Sequence, residues 1–186
     1  SLSLSSLDRL IIPFFVGPSN LTYYSMPGNV ATKIPGITNT LTVSMLPATS
    51  QLSGSNEIVR METLYIRTFR LITVIAGAFT ITSIAFSYKI LEYWLSVDFA
   101  ERSSGVLIIL AITNFLLALF GPLSNFLLGM NKLKFLSISS VCMAGLNVIA
   151  LCVLLPFYGI VGAARAYLIS VLPILFLFYY AEGRYL

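Results

Sequence analysis

The chain has 186 residues, 58% hydrophobic and only 10% charged, with a formal net charge of +4 and a mean hydropathy of +0.92. Soluble domains carry about 25% charged residues, so this composition excludes a soluble globular domain, a disordered tail and a nucleic-acid module. It leaves an all-α fold, a polytopic helical membrane protein.

The chain opens on SLSLSSLDRL, and residues 1–17 read as the last part of a span whose beginning is missing. A piece of a longer protein is therefore expected. Asp8 and Arg9 are neighbours in that partial span. Adjacent helix residues point about 100° apart, so they pair poorly with each other. Asp8 is either a coupling-ion site or an ion-pair partner. Arg9 is either a cavity cation or part of a buried polar network.

A span over 21–47 follows. At about 100° per residue, Thr22, Ser25, Asn29, Thr32, Lys33, Gly36, Asn39 and Thr40 fall within a sector of about 120°. Tyr23, Val30, Ile34, Leu41 and Met45 fall opposite. Pro27-Gly28 and Pro35-Gly36 are expected to kink or loosen the helix. A polar stripe with a lysine does not face lipid; it faces an aqueous cavity or a partner helix. An intramembrane lysine costs about 2.5–3.5 kcal/mol on insertion scales, so Lys33 needs a reason. It is either an anion-receiving cation in a cavity, or an internal ion pair or snorkelling group.

Residues 52–64 carry a helix-start signal, with Ser55 or Asn56 as cap and Glu57 in the first turn. That helix should run on into a span at 71–95, with Arg60, Arg67 and Arg70 near the headgroups. Further spans are expected over 104–128, 135–155 and 159–181, which makes five full spans and one partial. Asn114, Gly121 and Asn125 share one face of the first of these, and Ser140 and Asn147 one of the second. Both sets suit interhelical hydrogen bonding. Cys142 and Cys152 are too far apart on one helix to bridge and read as small buried hydrophobes. Gly159, Gly162, Ala163 and Ala166 suit close helix packing, and Pro122 and Pro173 suit kinks. Arg165 lies near the start of the last span, where it can snorkel.

The connecting segments divide the charge. Arg60, Arg67, Arg70, Lys132, Lys134 and Arg184 fall on one side; Arg102 and Lys89 fall on the other, on the segment 96–103 and a nearby helix end. The positive-inside rule puts 48–70, 129–134 and the C-terminus in the cytoplasm. The chain has no histidine, so His-based acid–base chemistry, histidine zinc sites and Ser-His-Asp triads are absent. No metal site or cofactor is expected. Asp98 and Glu101 form the only close pair of carboxylates, which argues against a membrane enzyme.

The stretch Asp8-Arg9-Leu10 through Val16-Gly17, then Tyr23-Tyr24, resembles the region around helices seven and eight of bacterial polysaccharide flippases. These are Wzx-type lipid-linked oligosaccharide exporters of the multidrug/oligosaccharidyl-lipid/polysaccharide (MOP) superfamily. Leu46-Pro47-Ala48 looks like the end of the family's eighth helix, and Tyr158 through Ala164 like the turn into its twelfth. The resemblance implies the C-terminal lobe of a twelve-helix transporter in the bacterial cytoplasmic membrane, working with an N-terminal lobe of the same protein. It implies export of an undecaprenyl-pyrophosphate-linked oligosaccharide for surface polysaccharide such as lipopolysaccharide O-antigen. Membrane lipids and polysaccharide polymerase machinery are the further partners implied. It places Lys33 and Arg9 toward the diphosphate or acidic sugars, with Asn29, Asn39 and Ser25 toward the sugars. Arg165 stands where the family pattern expects a small or apolar residue. A drug/cation antiporter of the same superfamily, a lipid II flippase and a structural membrane subunit are the alternative readings.

Overall fold

A computed structural model describes residues 18–54, 58–130 and 133–174, all of it helices and their connections. In chain order the helices are α1 (Pro18–Ala31), α2 (Lys33–Gly54), α3 (Ile58–Ala85), α4 (Ser87–Trp94), α5 (Val97–Gly129) and α6 (Leu133–Val171). Three segments are long and apolar enough to cross a membrane: Val59–Ala85, Val97–Gly129 and Leu136–Val171. The Ser55, Asn56 and Glu57 start signal and the partial span with Asp8 and Arg9 lie outside the described residues.

The third segment is folded back on itself. Gly159 adopts φ 55° and ψ −136° inside α6, a conformation that strongly favours glycine. Met143 then clusters with Val171 and Ile174, residues that a straight helix would hold about 40 Å apart. A first arm, 133–158, and a returning arm, 160–171, therefore run antiparallel. The sequence expects a connection at Pro156-Phe157-Tyr158. Instead the first arm stays helical through Pro156 and the reversal rests on Gly159. The returning arm ends at Val171, one residue before a turn at Leu172 that precedes Pro173.

The expected span 21–47 is interrupted. α1 ends at Ala31, Thr32 is a turn, and α2 starts at Lys33. Pro35 explains the restart: proline lacks an N–H and fits the first turn of a helix, where that donor would have no partner. Pro27 is accommodated inside α1 and Pro47 inside α2. Helix α2 runs on to Gly54 instead of ending near Pro47.

α3 begins in the arginine-bearing segment and continues into the apolar stretch, as its pattern predicts. It bends at Phe86, where the backbone bonds from Phe86 N–H to Thr82 and from Ile90 N–H to Phe86 persist at 3.0 and 2.8 Å. The segment 96–103, expected as a loop, is the opening of α5. Ser96 caps it, its hydroxyl accepting the Phe99 N–H at 3.3 Å, with Asp98 in the first turn. A serine cap followed by an acid is a recognised start signal; the charges of Asp98, Glu101 and Arg102 hide it.

α5 is the centre of the bundle and packs against all five other helices. One apolar cluster joins Tyr24 and Ala31 of α1, Leu91 of α4, Leu107 and Leu110 of α5, and residues of both α6 arms, including Leu151 and Ala163. A second joins Met61 and Tyr65 of α3 to Leu123, Phe126 and Leu127 of α5, with the Tyr65 and Phe126 rings 5.2 Å apart. Ala163, Ala164 and Ala166 are fully buried, which agrees with close packing of the returning arm.

Some polar residues behave otherwise than expected. The Asn114 and Asn125 amides donate to Leu110 and Gly121 one turn back, at 2.8 and 3.2 Å, rather than across helices. Asn147 is fully buried while Ser140 is exposed, so the two do not share a buried face. Cys142 and Cys152 are free and both exposed. They lie on the outward side of the first arm with Ile138, Val141, Ile149 and Val153. An apolar outward face of this kind suits hydrocarbon, and cysteine is apolar enough to sit in it.

Candidate functional site

All members of the polar stripe but Ser25 lie outward. Thr22, Asn29, Thr32, Lys33, Gly36, Asn39 and Thr40 are exposed and Ser25 is half-buried, while Ile34 and the α1 residues Tyr24 and Ala31 are buried. The stripe survives the break at Thr32 because the chain resumes helical geometry after one residue. Hydroxyls on these two helices are fed back into the backbone. Within the stripe Thr32 Oγ1 donates to the Asn29 carbonyl at 3.1 Å; outside it, Thr42 Oγ1 donates to Thr38 at 2.8 Å and Ser44 Oγ to Leu41 at 2.7 Å. Such bonds satisfy the donor and leave the oxygen lone pairs free to accept.

At the break, Asn29, Val30, Thr32 and Lys33 line an open concavity of about 560 Å³ together with Trp94. Among the described residues no carboxylate belongs to its wall. Lys33 is exposed there, so its ammonium can stay hydrated or meet an anion. The concavity can therefore offer one positive charge, an amide, a hydroxyl and one indole face.

Behind Thr32 is a much smaller pocket of about 20 Å³, lined by Tyr24, Ser25, Gly28, Thr32, Leu110, Asn114 and Tyr167. That is room for about one water. Thr32 belongs to both walls, so the non-helical residue separates an outer polar hollow from an inner one.

The structure thus joins Asn29 and Lys33 in one hollow and sends Ser25 to the inner pocket. Asn39 lies outside both. Arg165 is elsewhere: its guanidinium lies 5.0 Å from the centroid of the Tyr158 ring, across the Gly159 reversal. Arg9 and Asp8 fall outside the described residues. Trp94 is not legible from the stripe, because the stripe runs along one segment and Trp94 arrives from another. Its one sequence signal is that it is the chain's only tryptophan, at the end of a span.

No curated protein and no solved structure matches the chain. The MatE family matches residues 2–154, from the polar-striped helices through most of the first arm of α6. MatE proteins are transporters of the MOP superfamily, and the apolar helices fit a multi-pass membrane protein. With most of its length inside that match, the chain belongs to the MatE family.

Proposed function

We propose that this protein moves an undecaprenyl-pyrophosphate-linked oligosaccharide from the cytoplasmic to the outer leaflet of a bacterial cytoplasmic membrane, for surface polysaccharide synthesis. The observation that carries the reading is the hollow at Thr32. It presents Lys33 with amide and hydroxyl groups and, among the described residues, has no carboxylate in its wall. A diphosphate-sugar head cannot cross hydrocarbon unaided. A polar site within a two-lobed membrane protein can open to each side in turn. Lys33 supplies attraction for the diphosphate or an acidic sugar, and Asn29 and Thr32 supply hydrogen bonds. An N-terminal lobe of the same protein completes the cavity, and Arg9 adds a second positive charge toward the diphosphate or acidic sugars. Polysaccharide polymerase machinery takes the delivered product.

The antiporter reading requires a carboxylate to bind a cationic drug, and this hollow has a lysine in that place. Orientation follows charge: Arg60, Arg67 and Arg70 stand exposed on α3, toward the end of the α3–α4 pair opposite Trp94. The arginine end is the cytoplasmic one by the positive-inside rule.

The test is transport of the lipid-linked oligosaccharide by the intact protein in proteoliposomes, wild type beside Lys33→Ala and Lys33→Arg. Loss in the alanine variant with partial retention in the arginine variant supports the reading. Wild-type transport by Lys33→Ala removes the cationic cavity. No transport of any of several glycans by folded wild type removes the flippase.

A further inference from the structure

We propose that Trp94 is a stacking platform for a sugar ring of the cargo, a role that rests on the flippase reading above. Trp94 is the last residue of α4 and 53% exposed. It lines the same hollow as Lys33, Asn29 and Thr32. An indole face beside an amide, a hydroxyl and one ammonium is a carbohydrate-binding set. The apolar face of a pyranose covers the ring, its hydroxyls reach Asn29 and Thr32, and the linked diphosphate or an acidic substituent reaches Lys33. An organic cation would also stack on indole, but Lys33 repels it within the same hollow, and among the described residues no carboxylate there offsets the repulsion. A bare acyl or prenyl chain would leave the polar groups unused.

The competing view of Trp94 is an interfacial anchor. Tyr88 and Tyr93 are exposed on the same short helix, and tryptophan and tyrosine gather at membrane interfaces. That view gives Trp94 no contact with cargo. Two features of the hollow oppose it. The wall that receives Trp94 comes from different helices, at a break in the polar stripe, and among an otherwise largely apolar surface it carries three polar side chains, Asn29, Thr32 and Lys33.

The experiment uses the intact protein in nanodiscs and two probes: a short-chain prenyl-pyrophosphate-linked N-acetylglucosamine and the same prenyl pyrophosphate without sugar. The emission of Trp94 is taken as the difference between wild type and Trp94→Phe. The expected result is a change in that emission with the sugar-bearing probe and none with the sugar-free one. Trp94→Ala should weaken the sugar-bearing probe about three- to tenfold, the range of one aromatic contact, and leave the sugar-free probe unaffected. Trp94→Phe should keep most of the affinity, which guards against misfolding of the alanine variant. Lys33→Ala should weaken both probes. An equal response to both probes, or unchanged affinity in Trp94→Ala, overturns the platform while leaving the flippase reading intact if Lys33→Ala still loses transport. Absence of both binding and glycan transport in folded wild type overturns the two together.

Discussion

Gly121 of α5 lies directly against Thr42 of α2: a methyl group built on Gly121 would sit 3.0 Å from Thr42 Cγ2 and 3.2 Å from its Oγ1. The missing side chain lets the polar-striped helix approach the central helix at this level, while Thr42 turns its hydroxyl onto its own backbone at 2.8 Å. The seam is thus closed by shape, as small residues close helix pairs in membranes.

Gly121→Val should therefore destabilise the protein by about 1–3 kcal/mol, the usual cost of overpacking. Thr42→Ala should recover part of that loss in the double variant, since it removes the atoms in the way. Melting of the purified protein in detergent, for both single variants and the double, reads the coupling. Strict additivity would show that the two residues are not in the contact described.

The reversal at Gly159 gives a second expectation. Gly159→Ala should cost about 1–3 kcal/mol, because the backbone there is one that L side chains avoid. Gly162→Ala should be worse. Its added carbon would meet the Leu154 carbonyl oxygen across the hairpin at far less than contact distance, with the Tyr158 Cβ at 3.0 Å. Size-exclusion profiles of the two variants should show less monodisperse protein for Gly162→Ala than for Gly159→Ala. The opposite order would place the strain elsewhere.

The start of α5 depends on Ser96. Ser96→Ala should lower stability by about 1 kcal/mol and Ser96→Asp should hold it near wild type, since aspartate caps as well as serine. Hydrogen exchange over residues 97–100 is the sensitive readout. Equal protection in all three proteins would mean the cap contributes nothing.

Orientation can be read with two cysteines in a background lacking Cys142 and Cys152, which are exposed. Asp98 and Lys134 are both exposed and flank the two ends of α5, about 50 Å long. In intact cells an impermeant thiol reagent should label Asp98→Cys and spare Lys134→Cys. The reverse pattern would invert the topology.

Charge at the hollow gives the last expectation. Lys33→Glu should reduce transport of an anionic cargo further than Lys33→Ala does, because it adds repulsion to the lost attraction. Proteoliposome transport at low and high salt checks it, and the gap between the variants should narrow at high salt.

Composition and periodicity were enough to read a helical membrane protein, the run of α3 into its span, and the gathering of polar residues from Thr22 to Thr40 on one face. These depend on local properties, namely hydropathy and a 3.6-residue repeat. The breaks were harder. Pro35-Gly36 marked the neighbourhood of the interruption but not the residue, because a proline tolerated in a first turn displaces the break to the residues before it. Pro47 and Pro156, strong stop signals in sequence, sit inside helices here. The fates of Ser140, Asn147 and the cysteines depend on which side of a helix meets a neighbour, a property of the assembled bundle. Asn147 is the sharpest case. It is wholly buried, and its amide nitrogen and oxygen have no hydrogen-bond partner among the described residues. The hollow was half legible, since Lys33 and Asn29 belong to one segment and Trp94 enters from another.

Because α5 touches every other described helix, it serves as a keel. No neighbour can slide without shearing against it, and it cannot tilt without carrying the rest. Any rocking of this unit during a transport cycle is then that of a solid piece. Among the described residues, Thr32, Phe86 and Gly159 are single-residue breaks at which the chain can bend, each standing between helical segments packed on α5. Thr32 alone of these borders the polar hollow, so the joint closest to cargo is also the one whose bending would change the shape of the hollow.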